Sequence, residues 1–371
     1  MYLGKSENGE GHIFHLYVRE KESKAEIWEG ARSGTQAALD VFNADETGDI
    51  SKLRDILPPI LGGASLVYTN TVQEADNAST LSRVFFGSGK KTDSFSDLLE
   101  ARKTRSLRPV INDLRFFKSE SEIRNMRKAG LSAAIAHSEV MRRKWESEHQ
   151  VDAYLEYCMK RNGPGSLAFE PVVAGGQNAL SIHYVRNNDA LREGDMVLVD
   201  GGATYGGYIS DLTRCWPVKA KFSGPQRDLY QAVLNVQKSC VALCRESANV
   251  SLDKLHDIAE EGLKDQLKQL GFDMSGKGTV ESLFPHHLGH YIGLDVHDTA
   301  GFSRNVVLKE GNCITVEPGV YVPVNDRWPK HFQGIGIRVE DSVCVWKEDV
   351  EVLTGAAVKE VEKIEELRRG G

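Results

Sequence analysis

Residues 196–216 read MVLVDGGATYGGYISDLTRCW, and this stretch decides the fold. MVLVD is an apolar run ending on Asp200, the pattern of a buried strand. GGATYGG has the glycine density of a chain reversal. YISDLTRCW then resumes an extended pattern around Asp211. Two strands joined by a turn can place both aspartates on one wall. Carboxylates in such apolar, glycine-rich surroundings are costly unless something compensates their charge.

Three further side chains of the same kind follow in order. They are His290 in HHLGHYIGLDVHD (286–298), Glu317 in ITVEPGVY (314–321) and Glu340 in GIGIRVED (334–341). One buried carboxylate can be a structural ion pair. Four with an imidazole need a better partner, and two divalent cations nearly cancel their charge. The set reads as a two-metal hydrolase site. IGIRVED alternates with period two, so Arg338 shares a strand face with Glu340. An arginine beside a metal carboxylate can orient it; taken alone, the two would be an ordinary ion pair.

His286, His287, His290 and His297 crowd one short stretch, and His183 stands upstream in LSIHYVRNND (180–189). A helical zinc pair requires Glu after its first histidine. Here that residue is His287, and Pro285 and Gly289 flank the segment, so the motif is rejected. His12, His15, His137, His149, His256 and His331 read as surface or satisfied core residues.

The 371 residues suffice for two domains. A net charge of −7 argues against nucleic acid and against an anionic membrane surface as partners. No apolar run approaches the ~18 residues that span a bilayer. The six cysteines form no CxxC and read as reduced thiols. Met1 leads almost directly into a strand pattern, with no signal or transit segment in this sequence.

Residues 1–107 mix strands (HIFHLYVRE, SLVYTN) with helical patches (DISKLRDILPPIL, SFSDLLEARKT). RSLRPVINDLRFFKSESE (105–122) reads as a linker, and Ser119 with Glu122 forms a capping box opening a helix. QRDLYQAVLNVQKSCVALC (226–244) and LDKLHDIAEEGLKDQLKQL (252–270) are amphipathic helices, the first with Pro225 at its start. Strands carry the ligand-type residues around them. The pattern predicts an α+β fold: helices on a curved, mostly antiparallel sheet. KEVEKIEELRRGG (359–371) reads as a charged, solvated helical tail.

At this point the residues resemble a known family. Asp200, Asp211, His290, Glu317 and Glu340 in order, with His183 seventeen residues before Asp200 and His297 seven after His290, are similar to the aminopeptidase P and prolidase group. These are the pita-bread metallopeptidases. The resemblance covers about residues 109–365 in five motifs. A weaker one covers FHLYVREKESKAEIWEGARSG (14–34), where a strand would lead into a W-x-G-x-R-x-G turn. It implies a partial aminopeptidase P-like domain over 1–107 and a pita-bread catalytic domain over 108–371. RDLYQAVLNVQKSC, VESLFPHHLGH and GLDVHDTAGFSR most resemble the mitochondrial intermediate-cleaving aminopeptidases.

The resemblance implies a mechanism. Asp200 holds one ion, His290 and Glu317 the other, and Asp211 and Glu340 bridge both. The ions activate the water that attacks the peptide carbonyl, with Glu317 as proton acceptor. His297 and His183 are the added donors to the oxyanion, and His286 lines the same pocket. Oxygen-rich ligation with one imidazole suits Mn²⁺, with Zn²⁺ or Co²⁺ as alternatives. His287 replaces the glycine of H-G-x-G-H, and there it either narrows the pocket or points outward. The implied activity removes one residue from peptide or protein N-termini, by a homodimer, in mitochondria. The alternatives are an Xaa-Pro aminopeptidase, a prolidase-type dipeptidase, a cytoplasmic address, and a non-catalytic pita-bread binding module.

Overall fold

A computed structural model describes residues 2–5, 11–70, 99, 103–163 and 165–370. They fall into two compact units, Met1–Val110 and Ile111–Gly371. The first contains strands β1 (Tyr2–Lys5) and β2 (His12–Val18), helices α1 (Ser23–Glu29) and α2 (Gly34–Asp40), and β3 (Glu46–Asp49). Helix α3 (Leu53–Gly62) and strands β4 (Val67–Thr69) and β5 (Thr104–Ser106) follow. β2 pairs antiparallel with β1 and parallel with β3. The strand β2 does not lead straight into the WEGARSG turn. Helix α1 intervenes and buries none of its side chains. Most of the helical patch expected at 94–104 lies outside the described residues.

The stretch expected to be a linker forms helix α4 (Arg108–Phe116). Pro109 falls in its first turn, where no N–H is required, so the proline does not prevent the helix. Helix α5 (Glu120–Arg142) carries the expected capping box of Ser119 and Glu122, and α6 (Glu148–Asn162) follows.

Strands β6 (Val172–Gly175), β7 (Met196–Asp200) and β10 (Thr213–Pro217) make an antiparallel sheet with β7 central. A small hairpin, β8 (Thr204–Tyr205) and β9 (Tyr208–Ile209), fills the reversal. Helices α7 (Gly224–Leu243), α8 (Leu252–Gln269) and α9 (Thr279–Leu283) come next. Ser223 and Gln226 cap α7, and its stripe of Leu229, Val233, Val236 and Cys240 is buried. Strands β11 (Cys313–Val316), β12 (Gly319–Tyr321), β13 (Gly336–Arg338), β14 (Asp341–Val345) and β15 (Val350–Val352) pair antiparallel as β11–β14–β15 and β12–β13. One apolar core joins α5, α6, α7 and α8 to these strands, giving the expected α+β layers. All six cysteines are buried free thiols. Among the described residues no helix is long and apolar enough to cross a membrane.

The tail is solvated on one face only, with Glu362, Lys363, Glu366 and Arg369 exposed. Helix α10 (Val361–Arg369) buries Val361, Ile364 and Arg368. The Arg368 guanidinium donates to Met141 O at 2.6 Å and Val218 O at 2.7 Å. Charge in this tail thus serves docking, because a guanidinium can satisfy several buried carbonyls at once.

Asp341, fully buried, ties the sheets to the helices. It accepts from Arg214 Nη2 at 2.8 Å, Thr354 Oγ1 at 2.8 Å, Gln237 Nε2 at 2.9 Å and Lys359 Nζ at 2.6 Å. Burial alone would raise its carboxyl, but Arg214 and Lys359 outweigh that and hold it at about 2. The folded value lies below the unfolded value of about 3.9. Its stabilisation is therefore complete above about pH 4 and is lost as pH falls towards 2. Asp341→Asn should cost about 3–5 kcal/mol at pH 7, because Arg214 is left buried and uncompensated. Denaturant melts of both proteins should show that gap narrowing between about pH 4 and pH 2; a gap that widens on acidification contradicts the assignment.

Candidate metal centre

The register of β7 and β10 sets Thr213 opposite Asp200. Asp211 lies in the extended stretch just before β10. Its N–H donates to Ser342 Oγ at 2.9 Å, and that hydroxyl donates back to Asp211 O at 2.8 Å. Both aspartates therefore face the same wall, though from a longer connection than a simple turn. Gly202 makes this possible: a Cβ there would sit 1.8 Å from Ser210 O.

Glu340 follows β13, and its N–H donates to Thr213 O at 3.2 Å. The Thr213 hydroxyl donates to Glu340 Oε2 at 2.6 Å and accepts from Arg338 Nε at 3.1 Å. Arg338 and Glu340 thus share a face, as the period-two pattern predicted. They do not form the simple pair. Arg338 Nη2 instead donates to Asp200 Oδ2 at 2.6 Å, and Nη1 to Tyr321 OH at 2.7 Å.

The HHLGH segment is not helical and runs beside β11. Thr315 N–H donates to His290 O at 2.9 Å and Glu317 N–H to Leu288 O at 2.7 Å. Gly289 permits this approach, since a Cβ would fall 1.9 Å from Thr315 O. His290 Nε2 comes to 3.6 Å from Asp211 Oδ2 and 3.5 Å from Glu317 Oε1. His290 Nδ1 lies 3.1 Å from Tyr291 O, which holds a proton on that nitrogen, so loss of the Nε2 proton is what would free a lone pair for an ion.

These residues fit divalent cations. One donor atom each from Asp211, His290 and Glu340 lie within 4.8 Å of one another. Asp200 Oδ1, Asp211 Oδ1 and Glu340 Oε1 are buried without any hydrogen-bond donor. Burial pushes Asp200 and Glu317 up to about 7, against the pull of Arg338 on the first and His290 on the second. Burial, then Asp211, Glu317 and Asp200, drives Glu340 well above the usual carboxylate range. Burial alone would lower His290, yet Asp211 and Glu317 raise it to about 9. On its own side chains the cluster balances its charge with protons, which cations would replace.

A cleft of about 410 Å³ opens on this cluster. Asp200, Asp211, His290, Glu317, Arg338 and Glu340 all line it. Phe169, Val172, Ile182, Val185 and Val296 give it an apolar wall, and Glu170, His183 and His297 complete it. The His297 ring stands perpendicular to His290 with centroids 4.4 Å apart. Burial, then His290, lowers its pKa.

Two histidines depart from expectation. His286 is not among the cleft-lining residues. It sits behind Glu317, with Nδ1 3.9 Å from Oε2, and Tyr321 OH holds its Nε2 at 2.9 Å. Burial, then Arg338, lowers it to about 3, so it stays neutral. His287 faces away from the cleft, its ring 5.3 Å from that of His256. It is not among the residues that line the cleft. His137 is a core residue as expected but is only half satisfied: its Nε2 lies 3.0 Å from Gly201 O, while Nδ1 is buried without a hydrogen-bond partner. The sequence reading missed Thr213 and Tyr321. The T in DLTR, two residues from Asp211 in an extended stretch, carried a signal; Tyr321 carried none.

The model of metallopeptidase family M24 matches residues 124–347, and that of the aminopeptidase P N-terminal domain matches residues 1–68. Intermediate cleaving peptidase 55 of Saccharomyces cerevisiae is 38% identical over 97% of this chain and 71% of its own length. Intermediate cleaving peptidase 55, mitochondrial, of Arabidopsis thaliana is 37% identical over 95% and 69%. Xaa-Pro aminopeptidase 3 of Mus musculus is 35% identical over 96% and 70%. The crystal structure of Icp55 from Saccharomyces cerevisiae superposes with a TM-score of 0.88 at 37% identity, covering 97% of this chain and 82% of that one. The proline aminopeptidase P II structure from Yersinia pestis gives 0.87 at 29% identity, over 99% and 86%. The α+β layers are therefore the pita-bread fold, and the carboxylate cluster falls in the region that the family model matches. The chain belongs to metallopeptidase family M24 and is a metal-dependent hydrolase.

Proposed function

We propose that this chain is a dinuclear aminopeptidase that removes a single N-terminal residue, trimming imported mitochondrial proteins after presequence cleavage. The observation that carries it is the set of donor-less buried carboxylate oxygens at the floor of an apolar-walled cleft. The yeast and plant relatives named as intermediate cleaving peptidases support the substrate class, and the plant relative's name supports the mitochondrial address. Residues 1–107 serve as the N-terminal domain and 108–371 as the catalytic one. A homodimer would cover Ile27 and Trp28, large apolar side chains left exposed on α1.

Asp200, Asp211, His290, Glu317 and Glu340 would together hold the two ions. Manganese suits this oxygen-rich set, with zinc or cobalt as alternatives. Two such ions supply Lewis acidity towards a carbonyl oxygen and a readily deprotonated water. Arg338 fixes the angle of Asp200, and Thr213 that of Glu340, so neither carboxylate rotates out of place. Glu317 accepts the proton, oriented by Thr315 Oγ1 at 3.2 Å. His297 and His183 donate to the carbonyl oxygen as it gains charge. The apolar wall takes the first side chain, with the free ammonium towards the carboxylates. An Xaa-Pro aminopeptidase is the second reading, favoured by the mouse relative's name.

Glu340→Ala should lower the metal content from two ions per chain to at most one and abolish turnover. Full turnover with two ions bound would remove Glu340 from the ligand set. His297→Ala should reduce kcat by about 10²–10³ with metal content unchanged, as for loss of one oxyanion donor. Loss of stoichiometric metal would instead make His297 a ligand.

Substrate choice is read from matched X-Ser and X-Pro peptides, with X varied and the N-terminus free or acetylated. Cleavage should favour Tyr, Leu or Phe at X, need no proline, and vanish on acetylation. Cleavage confined to X-Pro peptides would establish the second reading.

A further inference from the structure

The cleft wall bearing His183 has almost no regular structure. Residues 181–195 lie outside every helix and strand, apart from one isolated bridge between Ala190 and Ser147. Yet this segment supplies Ile182, His183 and Val185 to the cleft. A side chain that must meet a developing charge needs its backbone held to within about 0.5 Å. No sheet ladder does that here, so other contacts must.

Glu148 provides them. It is the first residue of α6, and none of it reaches solvent. Its Oε1 accepts from Gly175 N at 2.7 Å and Asn178 Nδ2 at 2.9 Å. Its Oε2 accepts from Tyr184 OH at 2.8 Å and Asp189 N at 2.8 Å. Among the described residues no cation pairs with it. Four hydrogen bonds and the positive end of α6 carry the compensation. The four donors bracket His183 on both sides, and Tyr184 is its chain neighbour. Asn178 Nδ2 also reaches Asp189 Oδ2 at 2.8 Å, closing the clasp.

Asn187 holds the same segment from below. Its Oδ1 accepts from Val173 N at 2.9 Å and its Nδ2 donates to Pro171 O at 2.8 Å, fixing the loop to β6.

We propose that Glu148 is a positioning residue for substrate turnover: its buried carboxylate clasps residues 175–189 and so sets His183 against the scissile carbonyl. Glu148 does not line the cleft and touches none of the proposed metal ligands. The inference rests on His183 acting on the substrate, as argued above. Glutamine at 148 keeps the size but turns an N–H₂ towards backbone N–H donors, leaving one of them unpaired.

The test is a double-mutant cycle on the metal-loaded enzyme. E148Q should lower kcat about ten-fold with two ions still bound, and should raise hydrogen exchange across 181–189 but not in β7. In a His183→Ala background, E148Q should lower kcat less than about two-fold further. Equal losses in both backgrounds would overturn the inference and leave Glu148 a stability residue. A His183→Ala enzyme with wild-type kcat would instead overturn the role of His183 itself. If E148Q does not fold, Tyr184→Phe removes one donor from the clasp and runs the same cycle with the same criterion.

Discussion

The structure is organised around a concentration of negative charge that apolar surroundings cannot tolerate unaided. Asp200, Asp211, Glu317 and Glu340 converge on His290, and three of their oxygens have no donor. The pleated sheets bring them there. The Asp200–Thr213 register and the close passage of Gly289 over β11 decide which carboxylates meet. Arg338 and the Thr213 hydroxyl then hold Asp200 and Glu340 at fixed angles. Such an arrangement costs stability unless cations enter it, which is the usual trade of a working site.

A second carboxylate logic runs through the scaffold. Asp341 and Glu148 are as buried as the cluster, but each is fully satisfied by four donors. Satisfied carboxylates fix elements in place; unsatisfied ones bind. The hydrogen-bond inventory separates the two classes more sharply than burial does.

Much of the site could be read from the sequence because its residues sit in strongly patterned segments. Asp200 ends an unbroken apolar strand, and Arg338 shares the period of IGIRVED with Glu340. The partner of Arg338 could not be read, because Asp200 lies in a different strand brought near only by folding. His286 and His287 were harder still: adjacent residues in an irregular segment give no period from which to tell inside from outside. The 105–122 stretch read as a linker, yet residues 108–116 are helical, with Pro109 in the first turn where a proline is tolerated. The docked face of the tail was hidden because Arg368 counts as charge in composition, whereas its guanidinium caps carbonyls from two distant segments. Glu148 left no trace, since an acidic residue at a helix start is ordinary; only its irregular partner loop reveals its work.

The most direct test of the central claim is anomalous diffraction from crystals grown with manganese, recorded at the manganese edge. The account predicts two peaks per chain. Both should be ligated by side chains from among Asp200, Asp211, His290, Glu317 and Glu340. A single peak, or peaks ligated by His183 or His297, would contradict it.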